Sequence, residues 1–388
     1  MIDLIDEFPV LQHGHYMNHA AMGPWPLRTT RAVQAFAQEN ADMGSEKYPL
    51  WLRREKHLRD MLAGMMNAGS ADDIALLKNT TEGICTVAGG IDWRRGDNVV
   101  IPKDEFPSNR LPWLALERHG VEVREVDIRA VAEPEQALLE RMDANTRLLS
   151  VSAVQWTDGL RLDLGQLGGG CKTAGALFFV DAIQQLGALQ VDVQACNIDF
   201  LAADGHKWLL APEGIAVFYC APHVRERLQL LQHGWHMVDD FLDFDRAEWP
   251  PSKSALRFEA GSPNMLGQVA MHASLELLLE VGMAEVEANV TDNSRVLSET
   301  LDGISGVELA LPYDSGRVSG IVSFRLPGYE LALVYKTLKR AGIVCAMRGN
   351  AIRLSPHFYQ AGQPLQRMLA DMEVAIKSLK GSGSIKIN

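Results

Sequence analysis

The stretches Val180-Asp181-Ala182-Ile183-Gln184 and Ala203-Asp204-Gly205-His206-Lys207-Trp208 decide the fold of this 388-residue chain. Each begins at the end of a candidate strand, 176–180 in one case and 200–203 in the other. Groups at the carboxyl ends of neighbouring strands in an α/β sheet converge on one crevice, so Asp181 and Lys207 are expected to face one ligand. Alone, the aspartate is typical of a helix cap and the lysine of a solvated side chain, and only their combination predicts a site.

Further apolar runs alternate with segments that are long enough for crossover helices. This alternation predicts a largely parallel sheet with helices on both faces. A final run, GIAVFYC at 214–220, is too short for a stable helix and rich in β-formers, so it adds another strand. The other candidate strands are 98–101, 121–126 and 148–154.

The chain divides into two predicted domains with terminal extensions. Gly and Pro punctuation makes residues 1–26 an irregular N-terminal segment, and helical spacing of apolar residues begins at 27. The large domain is expected to cover 27–266. Helical and strand patterns over 267–380 predict a smaller α/β domain, and the Gly/Ser-rich 381–388 is expected to be a mobile tail.

Composition excludes several classes of function. The net charge of −12 and the absence of a basic stripe argue against nucleic acid as a partner. The N-terminus is acidic and no apolar stretch approaches spanning length, so we expect a cytoplasmic protein without a membrane partner. The five cysteines are scattered, without CxxC spacing or a nearby His pair, which predicts reduced thiols and no metal site.

The paired lysine and carboxylate suit one cofactor chemistry. A lysine amine forms a Schiff base with pyridoxal 5'-phosphate (PLP) and moves protons at the substrate α-carbon, while a carboxylate keeps the pyridine nitrogen protonated. The order, spacing and sequence of these residues resemble the class V aminotransferases, fold-type I PLP enzymes that include cysteine desulfurases, kynureninase and isopenicillin N epimerase. The resemblance runs from Asn18 to His357, and its strongest motif is DGHKWLLAPEGIAVFY at 204–219.

The resemblance implies a large domain built on a mainly parallel seven-stranded sheet, a smaller α/β C-terminal domain, and Lys207 and Asp181 as catalytic residues. Ser262, in RFEAGSPN at 257–264, would reach the phosphate bound to the other subunit, which implies a homodimer. Asp204 stands where many relatives have Ser, and a carboxylate beside a phosphate must turn away or pair with His206. The remaining cofactor contacts implied are Asn79, Thr80 and Thr81 at the phosphate turn, Phe106 on the pyridine ring, Gln184 at the phenolic oxygen, and His206 at the phosphate. A plain Thr N-cap, a core Phe and a Gly-Pro turn are the alternatives from the residues alone.

Two further residues are expected to bind a small amino-acid substrate. Arg353, in IRLSPHFY at 352–359, matches the arginine that binds the substrate α-carboxylate, and its planar fork suits that group. A solvent-facing arginine on a half-buried strand is the alternative. His19 resembles the start of the isopenicillin N epimerase branch, whose N-terminal segment lies near the substrate pocket.

The reaction is less sharply defined than the cofactor. Cys345 lies in an apolar run at 342–346 that predicts a strand, so a persulfide on a mobile loop is disfavoured. Aminotransfer is the leading hypothesis, with a C–S or β-lyase and an epimerase as alternatives. A noncatalytic binding protein of the same fold is a further alternative, which the intact Lys207, Asp181 and Arg353 argue against.

Overall fold

The computed structural model of this protein describes residues 4–312 and 316–381. Its strands are β1 His15–Tyr16, β2 Ile74–Leu77, β3 Asn98–Pro102, β4 Glu122–Val126, β5 Thr146–Ser152, β6 Leu177–Asp181, β7 Phe200–Asp204, β8 Ala216–Cys220, β9 Glu308–Leu309, β10 Val322–Arg325, β11 Ile343–Val344, β12 Ala346–Arg348 and β13 Ala351–Leu354. Its α-helices are α1 Leu4–Glu7, α2 Leu27–Met43, α3 Tyr48–Met66, α4 Thr80–Gly90, α5 Leu111–Leu114, α6 Pro134–Glu140, α7 Leu164–Ala174, α8 Pro222–Arg225, α9 Met265–Val281, α10 Met283–Asp302, α11 Leu331–Arg340 and α12 Gln363–Gly381.

A seven-stranded sheet in the order β2-β8-β7-β6-β5-β3-β4 forms the centre of the large domain. Strands β3 to β7 pair in parallel, and β8 runs antiparallel to both β7 and β2. Every residue of β3, β7 and β8 is buried, as expected for apolar runs in a sheet covered on both faces. The α/β fold with a mainly parallel seven-stranded sheet is therefore confirmed.

One strand of this sheet, β2, was not among the predicted strands. Its four residues are all buried and pair with β8 at the sheet edge. An apolar run of four residues between helical segments lacks the length that separates a strand from a buried helix end. The pairing with β8 decides its conformation.

The small domain contains a four-stranded antiparallel sheet in the order β12-β13-β10-β9. Helices α11 and α12 and the C-terminal half of α10 pack their apolar residues with this sheet in a second hydrophobic core. The short strand β1 pairs in parallel with β11, so the N-terminal segment attaches to this domain. Among the described helices, none combines the length and apolar character needed to cross a membrane.

The two cores do not separate at the predicted boundary near Gly267. Helix α9 packs against α2 and α3, and its Met271 and Leu275 belong to the core of the large domain. The change occurs inside α10, where Val290 belongs to the first core and Leu297 to the second. A change of core inside a continuous helix leaves no Gly or Pro signal, and the predicted division of the chain at 266/267 stays a prediction. The predicted tail, 381–388, lies outside the described residues except for the last residue of α12.

Candidate active site

Asp181 and Lys207 meet at the carboxyl ends of two parallel neighbours. Asp181 is the last residue of β6, and Lys207 follows the end of β7 by three residues. Both side chains are buried, with 2% and 9% of their surfaces exposed, and both line one cavity of about 250 Å³. The sheet geometry therefore places them together, as their positions after two candidate strands predict.

Burial moves the pKa values of these two groups toward each other. It raises the pKa of Asp181 to about 7. The backbone N–H of Ile183, which donates to Asp181 Oδ1 at 3.0 Å, opposes this rise. Burial also lowers the pKa of Lys207 to about 8, although the attraction of Asp181 opposes this shift. A lysine poised near neutral pH is able to act as both nucleophile and base.

The N-terminus of α4 forms one wall of the cavity. Asn79 is the N-cap, and its side chain accepts a hydrogen bond from Glu82 N at 2.9 Å. The hydroxyl of Thr80 is buried without a partner, and Thr81 Oγ1 donates to Ser108 Oγ at 2.8 Å. A helix N-terminus with an unpartnered buried hydroxyl fits the donors that a phosphate group requires. Thr80 and Thr81 line the cavity, whereas the Asn79 side chain is used in capping.

The pair Asp204 and His206 lies next to Lys207 in the sequence and faces the same cavity. Both residues line the cavity, and Asp204 Oδ1 is 2.9 Å from His206 Nδ1, an ion-pair distance without hydrogen-bond alignment. Of the two arrangements that the sequence left open for this carboxylate, the structure has the pairing with His206. That pairing reduces the repulsion that a phosphate nearby would feel.

Two aromatic rings form the opposite side of the cavity. Phe106 lies with its ring centroid 5.7 Å from Lys207 Nζ and packs edge-on against Trp156 at 5.4 Å. Phe106 is 40% exposed, which is unusual for a core phenylalanine and leaves a ring face open to a planar ligand. A buried-core role for this residue is thereby excluded.

Arg353 reaches the same cavity from the small domain. It lies on β13, is 2% exposed, and donates from Nη1 to the Trp156 carbonyl at 2.6 Å. Its Nε is buried without a partner. The solvent-facing alternative is therefore wrong, and the guanidinium keeps a free donor for a ligand.

Three of the residues that the sequence predicted at a ligand have surroundings that the sequence did not indicate. The imidazole of His19 is fully buried behind the cavity, with its nitrogens 2.8 Å from Ser355 O and 2.6 Å from the Tyr359 hydroxyl. Its neighbours Ala20 and Ala21 line the cavity instead, because the segment passes the site with His19 turned inward.

The other two residues are Gln184 and Ser262. Gln184 lines the cavity, yet it donates to Ala20 O at 3.0 Å and accepts from Trp208 Nε1 at 2.9 Å, which leaves one amide hydrogen for a ligand. Ser262 is exposed and lies outside the cavity of its own chain. Its predicted contact, with a cofactor in the other subunit, stays a prediction.

The cavity is also lined by Ser108, Trp156 and Arg348, which had no predicted role in a site, and by Ile183 close to Asp181. Ser108 belongs to the Phe106 segment, and an Asp-Glu-Phe-Pro-Ser context gives it no distinguishing signal. Arg348 precedes Gly349-Asn350, a dipeptide with turn character that predicts a hairpin, and the arginine beside it was detectable from that pattern.

The comparison with a family model decides the family of this chain. The model described as aminotransferase class V matches residues 15–369. The chain belongs to the class V aminotransferase family. As a class V enzyme it depends on PLP, and the expected cofactor is confirmed.

Curated relatives of this class V chain include proteins named for sulfur chemistry. A probable cysteine desulfurase of Methanothermobacter thermautotrophicus is 32% identical over 96% of this chain and 97% of its own. A probable cysteine desulfurase of Pyrococcus abyssi is 28% identical over 93% of this chain and 91% of its own.

Solved structures share the fold of this class V chain. The apo cysteine desulfurase of Thermococcus onnurineus matches with a TM-score of 0.85 and 23% identity, over 97% of this chain and 98% of that one. A complex of the cystine C–S lyase C-DES with its product cysteine persulfide matches with a TM-score of 0.85 and 22% identity, over 94% and 99%. At these identities the likeness concerns the fold alone.

Proposed function

We propose that this class V enzyme is a C–S lyase, which removes sulfur from the β-carbon of a small α-amino acid without forming a persulfide on one of its own cysteines. Aminotransfer, the leading hypothesis from the sequence, uses the same residues and differs only in the products. Both reactions begin with removal of the α-proton. They differ in whether the sulfur is then released from the β-carbon or kept in the product.

The observation that carries the proposal is the environment of Cys345. Strands β12 and β13 are joined by the two residues Gly349 and Asn350, so no loop intervenes before Arg353. Cys345 is 4% exposed in the core of the small domain, and burial raises the pKa of its thiol to about 12. A protonated thiol in a packed core cannot attack a substrate sulfur. Among the residues described, no cysteine lines the cavity.

The relatives support sulfur chemistry over simple aminotransfer. Two curated relatives carry the name probable cysteine desulfurase, and one of them is 32% identical over 96% of this chain. Sulfur removal without an acceptor thiol in the protein reconciles those names with the tight hairpin of this chain.

The site residues have distinct roles in this proposal. Thr80, Thr81 and His206 would hold the phosphate of PLP, and Phe106 would supply an aromatic surface for its ring. Bound PLP supplies an electron sink for the pair released at the substrate α-carbon. Asp181 would keep the proton on the pyridine nitrogen, because a carboxylate beside that nitrogen favours its protonated form.

Arg353 and Lys207 act on the substrate itself. The Arg353 fork binds the α-carboxylate and fixes which bond at the α-carbon faces Lys207. With PLP bound, the Lys207 amine would take the α-proton, and the sulfur would leave the β-carbon with the C–S bonding pair. With cysteine, addition of one water balances the reaction to pyruvate, ammonia and hydrogen sulfide.

The test measures every product from one incubation. Purified protein loaded with PLP is incubated with cysteine, and sulfide, pyruvate, ammonia and alanine are quantified. We expect sulfide and pyruvate in equal amounts, unchanged in the Cys345→Ala variant and lost in Lys207→Ala. Alanine formation with a persulfide on the protein, abolished in Cys345→Ala, would overturn the proposal in favour of a desulfurase.

The remaining alternatives each have a different product. Aminotransfer gives a keto acid that still contains sulfur, together with the pyridoxamine form of the cofactor, and epimerisation gives the D-enantiomer without either. A protein that binds PLP and leaves the added cysteine unchanged would support the noncatalytic alternative.

We also propose that the chain acts as a cytoplasmic homodimer. The segment that precedes Ser262 exposes several large apolar side chains, with Leu231 55%, Leu242 50%, Phe244 65% and Trp249 40% exposed. Apolar side chains concentrated in one segment are typical of an interface. Sedimentation velocity at micromolar concentration tests this, and a monomer would refute the dimer.

A further inference from the structure

The cavity contains a second arginine, Arg348, which the proposed reaction leaves without a task. It is the last residue of β12, immediately before the turn Gly349-Asn350. Those two residues have φ values of +52° and +62°, the positive pair that a tight two-residue hairpin requires. The hairpin therefore holds Arg348 at its tip, over the mouth of the cavity.

Strand register places both arginines on one face of this hairpin. Ala346 pairs with Arg353 and Arg348 pairs with Ala351. Alternate residues of a strand share a face, so the two arginines are diagonal neighbours, and the two alanines form the other diagonal on the same face. The alanine side chains are short, which leaves the space above them to the guanidinium groups and to a ligand. Arg353 is buried and Arg348 is exposed, so the cavity has one cation deep inside and one at its entrance.

Neither arginine has a carboxylate partner among the described residues. The contacts are to main-chain carbonyls: Arg348 Nη1 donates to Met347 O at 2.8 Å, and Arg353 Nη1 donates to Trp156 O. Burial lowers the pKa of Arg353 to about 9, and the positive charge of Arg348 contributes to that shift. Two cations that repel each other and lack an acid create a demand for negative charge in the ligand.

The substrate α-carboxylate satisfies only one of them. The phosphate of PLP is accounted for at the α4 N-terminus on another wall, by Thr80 and Thr81 with His206. An anion at the entrance must therefore belong to the part of the substrate that lies beyond its β-carbon.

We propose that Arg348 binds a second negatively charged group carried by the substrate side chain, so that this enzyme prefers small amino acids whose side chain ends in an anion. The inference rests on the proposed function, since it takes Arg353 as the residue that binds the α-carboxylate. Arg348 acts as a specificity residue and takes no part in bond breaking.

The test compares acids with their neutral isosteres in the PLP-loaded protein. Dissociation constants for aspartate against asparagine, and for glutamate against glutamine, are obtained from changes in the visible absorbance of the bound cofactor. We expect whichever of aspartate and glutamate binds more tightly to exceed its amide about tenfold in affinity. The factor is modest because a charge-assisted contact at a partly exposed site is weaker than a buried one. The preference should fall to near unity in Arg348→Gln and be partly retained in Arg348→Lys.

A matched control separates this local effect from a general change of charge. Arg325 is an exposed arginine at the end of β10 in the same domain and does not line the cavity. Arg325→Gln should keep the full preference for the acid. The inference is overturned if the parent shows no preference, if Arg348→Gln keeps it, or if Arg348→Gln weakens PLP binding, which would make Arg348 a cofactor ligand.

A second pair of compounds separates this inference from the proposed function. S-carboxymethylcysteine and S-carbamoylmethylcysteine have the same size and differ in charge, and C–S cleavage of each is followed by pyruvate release. Faster cleavage of the acid, reduced to the rate of the amide in Arg348→Gln, supports both proposals. If neither compound is cleaved while aspartate or glutamate binding still depends on Arg348, the lyase proposal fails and the anion site stands.

Discussion

At the scale of the residue, the cavity keeps two ionisable groups away from their ordinary pKa values. Asp181 and Lys207 are both buried, and burial raises the pKa of the carboxyl to about 7 and lowers that of the amine to about 8. Without the cofactor, each charge is costly because the surrounding protein gives it few partners. The site is therefore arranged for a ligand that brings a cation to Asp181 and a covalent bond to Lys207.

This arrangement predicts that Asp181 weakens the stability of the cofactor-free protein. Burial keeps the native carboxyl neutral until the pH approaches about 7, whereas an unfolded aspartate ionises near pH 4, so the cost grows between about pH 4 and pH 7 and is complete at pH 8. We expect cofactor-free Asp181→Asn to be more stable than the cofactor-free parent by about 1–3 kcal/mol at pH 8. Urea denaturation at pH 5 and pH 8 measures the difference, which should be smaller at pH 5 because only part of the cost has developed there.

The same variant should bind PLP more weakly, because an amide does not hold the proton on the pyridine nitrogen. Equal stability of the two cofactor-free proteins at pH 8 would contradict the cost assigned to the buried carboxylate.

At the scale of the element, the hairpin of β12 and β13 determines which groups face the substrate. Its two-residue turn brings Arg348 and Arg353 onto one face and leaves Cys345 in the core of the small domain. A longer connection would separate these features. In the proposed reaction, the turn therefore keeps Cys345 away from the substrate and places a positive charge at the entrance.

The turn depends on Asn350, whose φ of +62° is strained for a β-branched side chain. We expect Asn350→Val to lower the free energy of unfolding by about 1–2 kcal/mol, the cost of the left-handed conformation. The displaced arginines should raise KM for amino acids several-fold more than they lower kcat. Asn350→Gly, which accepts positive φ, is the control and should retain parental KM; a parental KM in Asn350→Val would show that the turn does not position them.

At the scale of the whole molecule, the N-terminal segment connects the two cores across the cavity. Its β1 pairs with β11, and Ser355 N donates to Met17 O at 2.8 Å in the small domain. A few residues later, Gly23 N donates to His206 O at 2.7 Å in the large domain. The segment thus fixes the small domain, which contains Arg353, relative to the loop that contains Lys207.

Gly23 is the closest point of this connection. A Cβ at this position would lie 2.1 Å from the carbonyl oxygen of Lys207, a main-chain atom that cannot move independently of the loop. We expect Gly23→Ala to destabilise the protein by about 1–3 kcal/mol and to reduce PLP occupancy, measured by visible absorbance at a fixed cofactor concentration.

Gly64 provides the control for this substitution. It lies in α3, and a Cβ at this position would meet no neighbouring element within 4 Å, so Gly64→Ala should be neutral or slightly stabilising. Full PLP occupancy in Gly23→Ala would show that the N-terminal segment does not position the Lys207 loop.

Some of the site could be predicted because local pattern and sheet topology are sufficient to place it. Asp181 and Lys207 each follow an apolar run, and parallel strands bring their carboxyl ends together without any knowledge of the packing. The sequence pattern did not predict β2, because its apolar run of four residues is too short to identify a strand. Its conformation depends on the pairing with β8. Gln184 and His19 were expected at the ligand, yet their polar atoms are largely used by Ala20, Trp208, Ser355 and Tyr359.

The sequence by itself determined the family, the cofactor and the alternation of strands and helices, because these depend on motif order and on periodicity along the chain. Only the tertiary contacts decided that Arg348 and Arg353 reach one cavity with Asp181 and Lys207, that β2 pairs at the edge of the large sheet, and that the two hydrophobic cores meet inside α10. Those features depend on strand register and on which apolar faces meet, and neither leaves a local signal in the sequence.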